Sequence, residues 1–349
     1  MTDISIPMPT VLESLNNALH RAFATNESVY LLGEDVLDPY GGAFKVTRGL
    51  STAFPGRVLT TPISEAGFVG VAAGMAMRGL RPVVEIMFGD FVTLIADQLI
   101  NHLSKFRWMY NDQVRLPMVI RTPMGGRRGY GPTHSQTLEK LFLGVPGLQV
   151  VAPVALCRQD GSGSPGDLLY RSVLESEDPV LFVENKLQYL LPVQNQSDSA
   201  DFSISTVSLA GRMEFPAYTL SVRGTPPASL TIAAYGHMAE LAKQAVLRLA
   251  YEYEIFTELI APTQLAPFDI EPIQASVSRT GRLLAIEEGT LSLGWGAEVL
   301  ARTAESLGSH PLTYRRLAAS ETPIPSSGPL EAATLPGVDE IIHSARQMF

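Results

Sequence analysis

The sequence is short of cysteine: its 349 residues contain one, Cys157. An internal disulfide is thereby excluded, and so is a zinc site built on several thiolates. A lone thiol suits a reducing compartment, and a cytoplasmic location is the expectation. Positive charge is also scarce, with 26 Lys and Arg against 35 Asp and Glu and a net charge of −9. A nucleic-acid surface needs a basic stripe to neutralise phosphates, so no nucleic-acid partner is expected. Long hydrophobic runs are missing as well. The longest, Ala66–Met77, is closed by Arg78 and is too short to span a bilayer, so no membrane association is expected. The opening "MTDISIPMPT" has an early acid, two prolines and no basic stretch, and it does not read as a signal peptide. There is no G-x-x-x-x-G-K-[ST] phosphate loop, no G-x-S-x-G elbow, and no histidine pair at metal-ligand spacing.

What is present reads as a packed globular chain. Hydrophobic residues make up 46% and charged residues 17%, and the length suits two domains. Thr10 and Glu13 form a T-x-x-E capping box, after which Val11, Leu15, Ala18, Leu19 and Ala22 recur at helical spacing. Strands are predicted at "SVYLLGED", "RVLT", "RPVVEIMF", "LPMVIRT", "LQVVAP" and "PVLFVEN". Helices are predicted over 65–78, 91–108 and 167–176 between them. Strands alternating with helices, several apolar on both faces, predict a parallel sheet covered on two sides. Residues 191–228 are polar and turn-rich and read as a linker with one or two short strands. The alternation resumes with strands at "LTIAAYG", "EIFTELI", "RLLAIEEG" and "PLTYRRL" and helices over 238–251, 294–307 and 337–348. The expected division is a first α/β domain over 1–190, a linker over 191–228 and a smaller α/β domain over 229–349.

Four features carry candidate chemistry. "GSGSPG", residues 161–166, matches the dinucleotide pattern G-x-G-x-x-G, but no strand runs directly into it. Pro165 also removes an amide that a phosphate would need, so a surface loop is the competing reading. Glu65 lies in "TPISEAGFVGVAAGMAM", with no basic residue within six positions on either side. Either Ser64 caps a helix whose dipole favours Glu65, or the carboxylate sits in an apolar pocket and needs a partner. Glu85 and Asp90 bracket "IMFG" and read as a strand end and a helix cap. His134, in "GPTHSQT", lies in a loop too rich in glycine to be packing filler; it is either solvated or catalytic.

"LLGEDV", "GGAFKVTRGL", "TPISEAGFVGVAAGMAMRGLRPVVEIMFGDF", "ADQLIN", "HSQT", "PGLQVVAP", "LAPFD", "GRLLAIEEG", "GAEVLARTAE" and "TPIPSSGPLEAATLP" occur in this order. Together they resemble the β subunit of the decarboxylating dehydrogenase component of 2-oxo acid dehydrogenase complexes, of the pyruvate, branched-chain 2-oxo acid and acetoin type. The resemblance implies a transketolase-like α/β fold: a parallel-sheet pyrimidine-binding domain, then a smaller α/β transketolase C-terminal domain. It implies oxidative decarboxylation of a small 2-oxo acid with acyl transfer to a lipoyl group, using thiamine diphosphate. Glu65 matches the glutamate that hydrogen-bonds the aminopyrimidine ring nitrogen of that cofactor, and Phe91 the aromatic that packs on the ring. Glu34, Ile63, Ser64 and Met87 match other pocket positions, and His134 matches the histidine that handles the acyl intermediate. Met118, Val173, Ser176 and Asp178 match positions whose backbone oxygens hold potassium.

The chain lacks the G-D-G and later Asn through which thiamine enzymes bind the diphosphate by magnesium. The resemblance therefore assigns Mg2+ to a partner α subunit, in an α2β2 assembly that a lipoyl-bearing acyltransferase core can join. Departures from the pattern occur at Met87, where many relatives have Gln, in the irregular 155–166 segment, at Ser326–Ser327 and in "APTQLAPFD". They leave open two alternatives: the β half of a biosynthetic thiamine-dependent carboligase, and a non-catalytic scaffold for an α subunit.

Overall fold

Thr10 and Glu13 close the expected capping box: the Glu13 amide donates to Thr10 Oγ1 (3.2 Å) and the Thr10 amide to the Glu13 carboxylate (2.8 Å). The helix so started, α1 (Val11–Thr25), buries Val11, Leu15, Ala18, Leu19, Ala22 and Phe23 along one stripe. The computed structural model describes residues 8–195, 197–207, 215–308 and 311–349, so part of the expected linker, 208–214, lies outside the described residues.

In chain order there follow β1 (Val29–Gly33), α2 (Leu50–Ala53), β2 (Val58–Thr60), α3 (Glu65–Met77), β3 (Arg81–Glu85), α4 (Ser104–Met109), β4 (Val119–Met124), β5 (Gln149–Val151), α5 (Pro165–Leu174) and β6 (Val180–Asn185). These six strands pair in parallel, in the order β5, β6, β4, β3, β1, β2. β4 and β6 are buried at every position, as strands covered on both faces must be.

The second half comprises β7 (Phe202–Val207), β8 (Ala217–Val222), β9 (Leu230–Ala234), α6 (Gly236–Tyr253), β10 (Thr257–Pro262), β11 (Gln264–Ala266), α7 (Glu271–Thr280), β12 (Arg282–Thr290), α8 (Trp295–Leu307), β13 (Thr313–Ala319), α9 (Gly328–Thr334) and α10 (Val338–Arg346). Its sheet runs β13, β12, β9, β10, β8, β7, parallel from β13 to β10 and antiparallel at β8 and β7. β11 leaves this half and adds antiparallel to β5 of the first sheet. Leu32, Val84 and Met124 of the first half share one buried cluster with Ala233, Leu283 and Trp295 of the second. Each such side chain contributes about 1.5–3 kcal/mol on burial, which holds the two sheets as one packed unit. Among the described residues no helix is long and apolar enough to cross a membrane.

The short strands expected within the linker are β7 and β8, and they pair as a hairpin of the second sheet. In β7 only Phe202 and Ile204 turn inward, while Ser203 and Ser205 face solvent, so its apolar signal is sparse. The helix expected over 91–108 is three segments: a 3₁₀ turn at Gly89–Ile95, a π-helical stretch at Gln98–Leu103, and α4. Val92, Ile95, Leu99 and Leu103 are buried at helical spacing, but Thr93 Oγ1 bonds the Asp90 carbonyl and Ser104 Oγ that of Ile100. Such side-chain bonds compete with a uniform helical ladder. The short α2, α9 and β11, and the Pro272-led α7, had no clear periodic signal.

Candidate active site

Parallel strands put all their C-terminal ends on one edge, and the loops leaving that edge are where such sheets place their sites. Glu34 directly follows β1, Ile63 and Ser64 lie between β2 and α3, Met87 and Phe91 follow β3, and His134 lies in the loop after β4. The topology thus brings the expected pocket residues to one edge.

Glu65 is the first residue of α3 and is 6% exposed, yet its carboxylate has no hydrogen bond or ion pair among the described residues. Ser64 stands at the N-cap but makes no capping hydrogen bond, so of the helix-cap explanation only the place of Glu65 in the first turn remains. Glu34 stands within electrostatic reach, and its Oε1 is buried without a partner. Burial, then the Glu65 charge, then Asp35, push the Glu34 carboxyl above the ordinary range. Two adjacent carboxylates with no basic side chain form an acceptor pair awaiting a donor. Ile63 beside them is 86% exposed, so one wall of the site is open on this chain.

Aromatic rings gather around His134 on the same edge of the sheet. Phe88 meets Phe44, Phe91, Tyr130 and His134 edge-on, with centroids 5.6, 5.9, 5.8 and 4.7 Å away. The His134 ring also stands edge-on to Phe91 at 5.3 Å, and its Nδ1 lies 2.9 Å from Thr133 Oγ1. Asp90 does not cap a helix. It reaches across to Gln136, accepting from Nε2 (2.8 Å) and the amide (3.3 Å), and so ties the histidine loop to the end of β3. Glu85 is a strand end as expected, but a buried one. Arg121 on β4 donates to Glu85 and, through Nε (2.8 Å) and Nη2, to Glu184 on β6. Burial raises the Glu85 carboxyl even against the neighbouring guanidinium. Gly42, at φ 78°, passes so close that a Cβ there would sit 2.5 Å from Glu85 Oε1, which only glycine permits.

The second half closes on the same loop. Glu331 on α9 accepts from the amides of Arg127 (2.7 Å) and Gly129 (3.1 Å), and Glu288 on β12 accepts from the amide of Gly126 (2.7 Å) and from Asn185 (3.0 Å).

Comparison with known proteins gives this arrangement a family. A family described as "Transketolase, pyrimidine binding domain" matches residues 8–190, and "Transketolase, C-terminal domain" matches 223–341. The chain is 36% identical over 340 residues to "Pyruvate dehydrogenase E1 component subunit beta-2, mitochondrial" of Oryza sativa subsp. japonica, covering 97% of this chain and 85% of the relative. It is 33% identical to "3-methyl-2-oxobutanoate dehydrogenase subunit beta" of Mycobacterium tuberculosis (97% and 92% covered). It is also 33% identical to "Acetoin:2,6-dichlorophenolindophenol oxidoreductase subunit beta" of Bacillus subtilis (95% and 94% covered). The chain belongs to the family of 2-oxo acid dehydrogenase β subunits. A solved structure, "Split gene transketolase, inactive beta4 tetramer", superposes with a TM-score of 0.72 at 19% identity, covering 97% of this chain and 98% of that one, and shows the transketolase-like fold.

The β-subunit site fits a thiamine-type group on its own chemistry: an unpaired buried Glu65, an orphaned Glu34 oxygen, and the half-buried ring of Phe91 on the same edge of the sheet. The potassium positions fit less well. Arg81 Nη1 donates to the carbonyls of Val173 (3.0 Å) and Ser176 (2.9 Å), Ser176 Oγ donates to that of Asp178 (2.7 Å), and the Val180 amide to that of Met118 (3.0 Å). The Asp178 carboxylate pairs with Arg107 at 2.7 Å. Each of these carbonyls already has a protein donor, and the Arg81 guanidinium brings its own positive charge to two of them, so a potassium ion does not fit as the residues stand. Among the described residues no three His, Cys, Asp or Glu side chains cluster as a metal site.

"GSGSPG" is a packing and capping element. The Gly166 amide donates to Ser14 Oγ (3.0 Å) and the Gly163 amide to Asp167 (2.8 Å), while Ser164 caps α5. A Cβ at Gly166 would lie 2.2 Å from the Ser14 carbonyl oxygen. The glycines let α5 approach α1, and the amides a phosphate would use are spent.

The sequence reading missed Phe88, Glu331 and Lys186, which contact the histidine loop, and Tyr130 within it. Their only signal was position: Phe88 three residues before Phe91, and a lysine directly after a strand that ends in Glu184 and Asn185.

Proposed function

We propose that this chain is the β subunit of a heteromeric, thiamine-diphosphate-dependent 2-oxo acid dehydrogenase. It works in an α2β2 assembly in which the α subunit holds the diphosphate through Mg2+, and the acyl group passes to a lipoyl group on an acyltransferase core. A cytoplasmic location, in keeping with the single buried thiol Cys157, belongs to the same reading. The observation that carries it is Glu65: a buried carboxylate with no protein partner, beside a second carboxylate, on a site left open by the exposed Ile63. Thiamine diphosphate, when bound, supplies an electron sink for the carbanion left by decarboxylation. Glu65 is placed to hydrogen-bond an aminopyrimidine nitrogen and to hold or release a proton there. Phe91 would give an apolar face to the ring, held edge-on by Phe88, and half-buried Met87 lies in the same segment after β3. His134, in edge-on contact with both rings, holds an imidazole that can act on the acyl group.

The test is co-expression with the α subunit and assay against pyruvate and branched-chain 2-oxo acids, with lipoamide or an artificial electron acceptor. Decarboxylation of one class by the complex, and none by this chain alone, is expected. An assembled, cofactor-loaded complex that decarboxylates no 2-oxo acid would return the chain to a scaffold role. Product built on a carbon acceptor in place of lipoamide would favour the carboligase reading. With active complex in hand, His134→Ala is expected to abolish lipoamide transfer while decarboxylation with the artificial acceptor falls less. Equal losses would place His134 before the transfer step.

A further inference from the structure

Lys186 is a fully buried lysine immediately after β6, and neither the capping, the packing nor the proposed chemistry above uses it. Lysine is rarely buried completely, because its ammonium loses hydration that only hydrogen bonds and charges can replace. Here the Nζ donates to the main-chain carbonyl of His134 and lies over the rings of Phe88 (5.3 Å) and Tyr130 (5.5 Å). Both are favourable to a cation: the carbonyl oxygen accepts and the ring faces are electron-rich. At the other end of the residue, the Lys186 amide donates to Met124 O (3.1 Å) and the Lys186 carbonyl accepts from Arg128 Nη2 (3.0 Å). One residue thus grips the loop 125–136 at its start, at Arg128 and at His134.

That loop has much freedom to lose. Gly125, Gly129 and Gly131 all have positive φ, and so does Arg127. It is fastened from four sides: Glu288 of β12 takes the amide of Gly126, Glu331 of α9 takes the amides of Arg127 and Gly129, Asp90 takes Gln136, and Lys186 takes His134. Among the described residues the only other main-chain bond at His134 is a 3.3 Å contact from its amide to Gly131 O. Without Lys186 the main chain at His134 would be held by that one long hydrogen bond, and the imidazole by ring contacts and the neighbouring Thr133 hydroxyl, which moves with the same loop.

We propose that Lys186 is the positioning residue for His134, its ammonium clamping the histidine's main chain so that the ring stays lodged between Phe88 and Phe91. Its mechanistic meaning rests on the function proposed above; the clamp itself does not. Burial pulls the Lys186 amine down to about 8, opposed by Asp90 of the 3₁₀ turn, Glu288 of β12 and Glu331 of α9 and aided by Arg128 of the loop. The clamp therefore weakens as the pH rises through about 8, when the cation that the rings and the carbonyl hold is lost.

The test is Lys186→Met, which keeps the chain length and removes the charge and the donor. Amide hydrogen exchange, read by mass spectrometry on the α-containing complex, is expected to speed up about tenfold or more in the peptide 125–136, the loss of one charge-assisted hydrogen bond, with other peptides unchanged. In the same complex kcat for acyl transfer is expected to fall by about 10²-fold through misplacement of the imidazole, with little change in KM for the 2-oxo acid. The wild-type rate should decline above pH 8, and that limb should vanish in the variant. Unchanged exchange in 125–136, or acceleration spread over the whole chain, would overturn the proposal. Should the Met variant not fold, the wild-type complex decides: protection of 125–136, corrected for the intrinsic pH dependence of exchange, is expected to fall between pH 7 and pH 9 relative to the other peptides, and no such fall would also overturn it. If the wild-type complex decarboxylates nothing, the functional reading fails, while the exchange measurement still decides the clamp.

Discussion

Single residues in this β subunit carry opposite kinds of buried charge. Glu65 has no protein partner, so its burial makes sense as a binding device, and Glu65→Gln tests this. An amide fills the same volume but cannot relay a proton, and the rate of the complex is expected to fall roughly 10²- to 10⁴-fold with assembly and melting temperature retained. A collapse in melting temperature instead would return Glu65 to a structural role. Glu139 is the contrasting case. It is fully buried, Tyr235 donates to one of its oxygens, and the other has no partner. Burial pushes its carboxyl up to about 7, the Tyr235 hydrogen bond opposes this, and Glu287 and Glu288 add to it. The folded chain then keeps a proton that the unfolded chain releases near the ordinary value of 4.5. Its effect on stability is absent below about pH 4.5, grows unfavourable as the pH rises to about 7, and stays constant above. Glu139→Gln is therefore expected to gain on the wild type between pH 5 and pH 8, by up to ~3 kcal/mol. Urea midpoints at the two pH values measure it, and an equal difference at both would refute the assignment.

At the scale of elements, three neighbouring strands are joined at their C-terminal ends by ions. Arg121 of β4 lies between Glu85 of β3 and Glu184 of β6, and Tyr189 also donates to Glu184, at 2.5 Å. Arg121→Met would leave two carboxylates buried and uncompensated in the centre of the sheet. A loss of about 3–5 kcal/mol is expected, read as a fall in the urea midpoint. A loss below about 1 kcal/mol would show that water reaches the site and screens it. The triad also sits under the functional edge, since Glu85 meets the Gly42 loop on one side and Arg121 occupies the strand that leads into the histidine loop. α3 makes the same point differently. Its first residue is the buried acid of the site, while Val71 and Met77 on its outer face are exposed, and a Cβ at Gly70 or Gly74 would meet nothing.

For the whole molecule, that outer face of α3 and the open wall at Ile63 describe a chain whose surface is completed by another. An apolar helix face exposed beside a half-built site is where a partner subunit is expected to pack. Val71→Asp is expected to leave the isolated chain's melting temperature within about a degree, because the residue is 59% exposed and packs on little. The same substitution should prevent co-purification with the α subunit, measured by light scattering after size exclusion. Retained assembly would place the partner elsewhere.

Much of this was legible from residue order. Apolar runs such as "PVLFVEN" and "LPMVIRT" could satisfy their side chains only inside a covered parallel sheet, and Thr10 with Glu13 marked the start of α1 by local hydrogen bonding alone. The isolation of Glu65 from basic neighbours was likewise visible, because charge sequence needs no fold to be read. What the sequence could not decide were contacts between positions far apart in the chain. Phe202 and Ile204 are too sparse an apolar signal to reveal that β7 joins the second sheet; only its pairing with β8 shows it. Asp90 and Gln136 lie 46 residues apart, Lys186 and His134 lie 52 apart, and Glu331 and Arg127 lie 204 apart. Hydrogen bonds of this kind depend on direction and on a few tenths of an ångström, which packing sets and composition does not. Chemistry-bearing residue types were therefore determined by the sequence, and the loop geometry that holds His134 was decided by the tertiary structure.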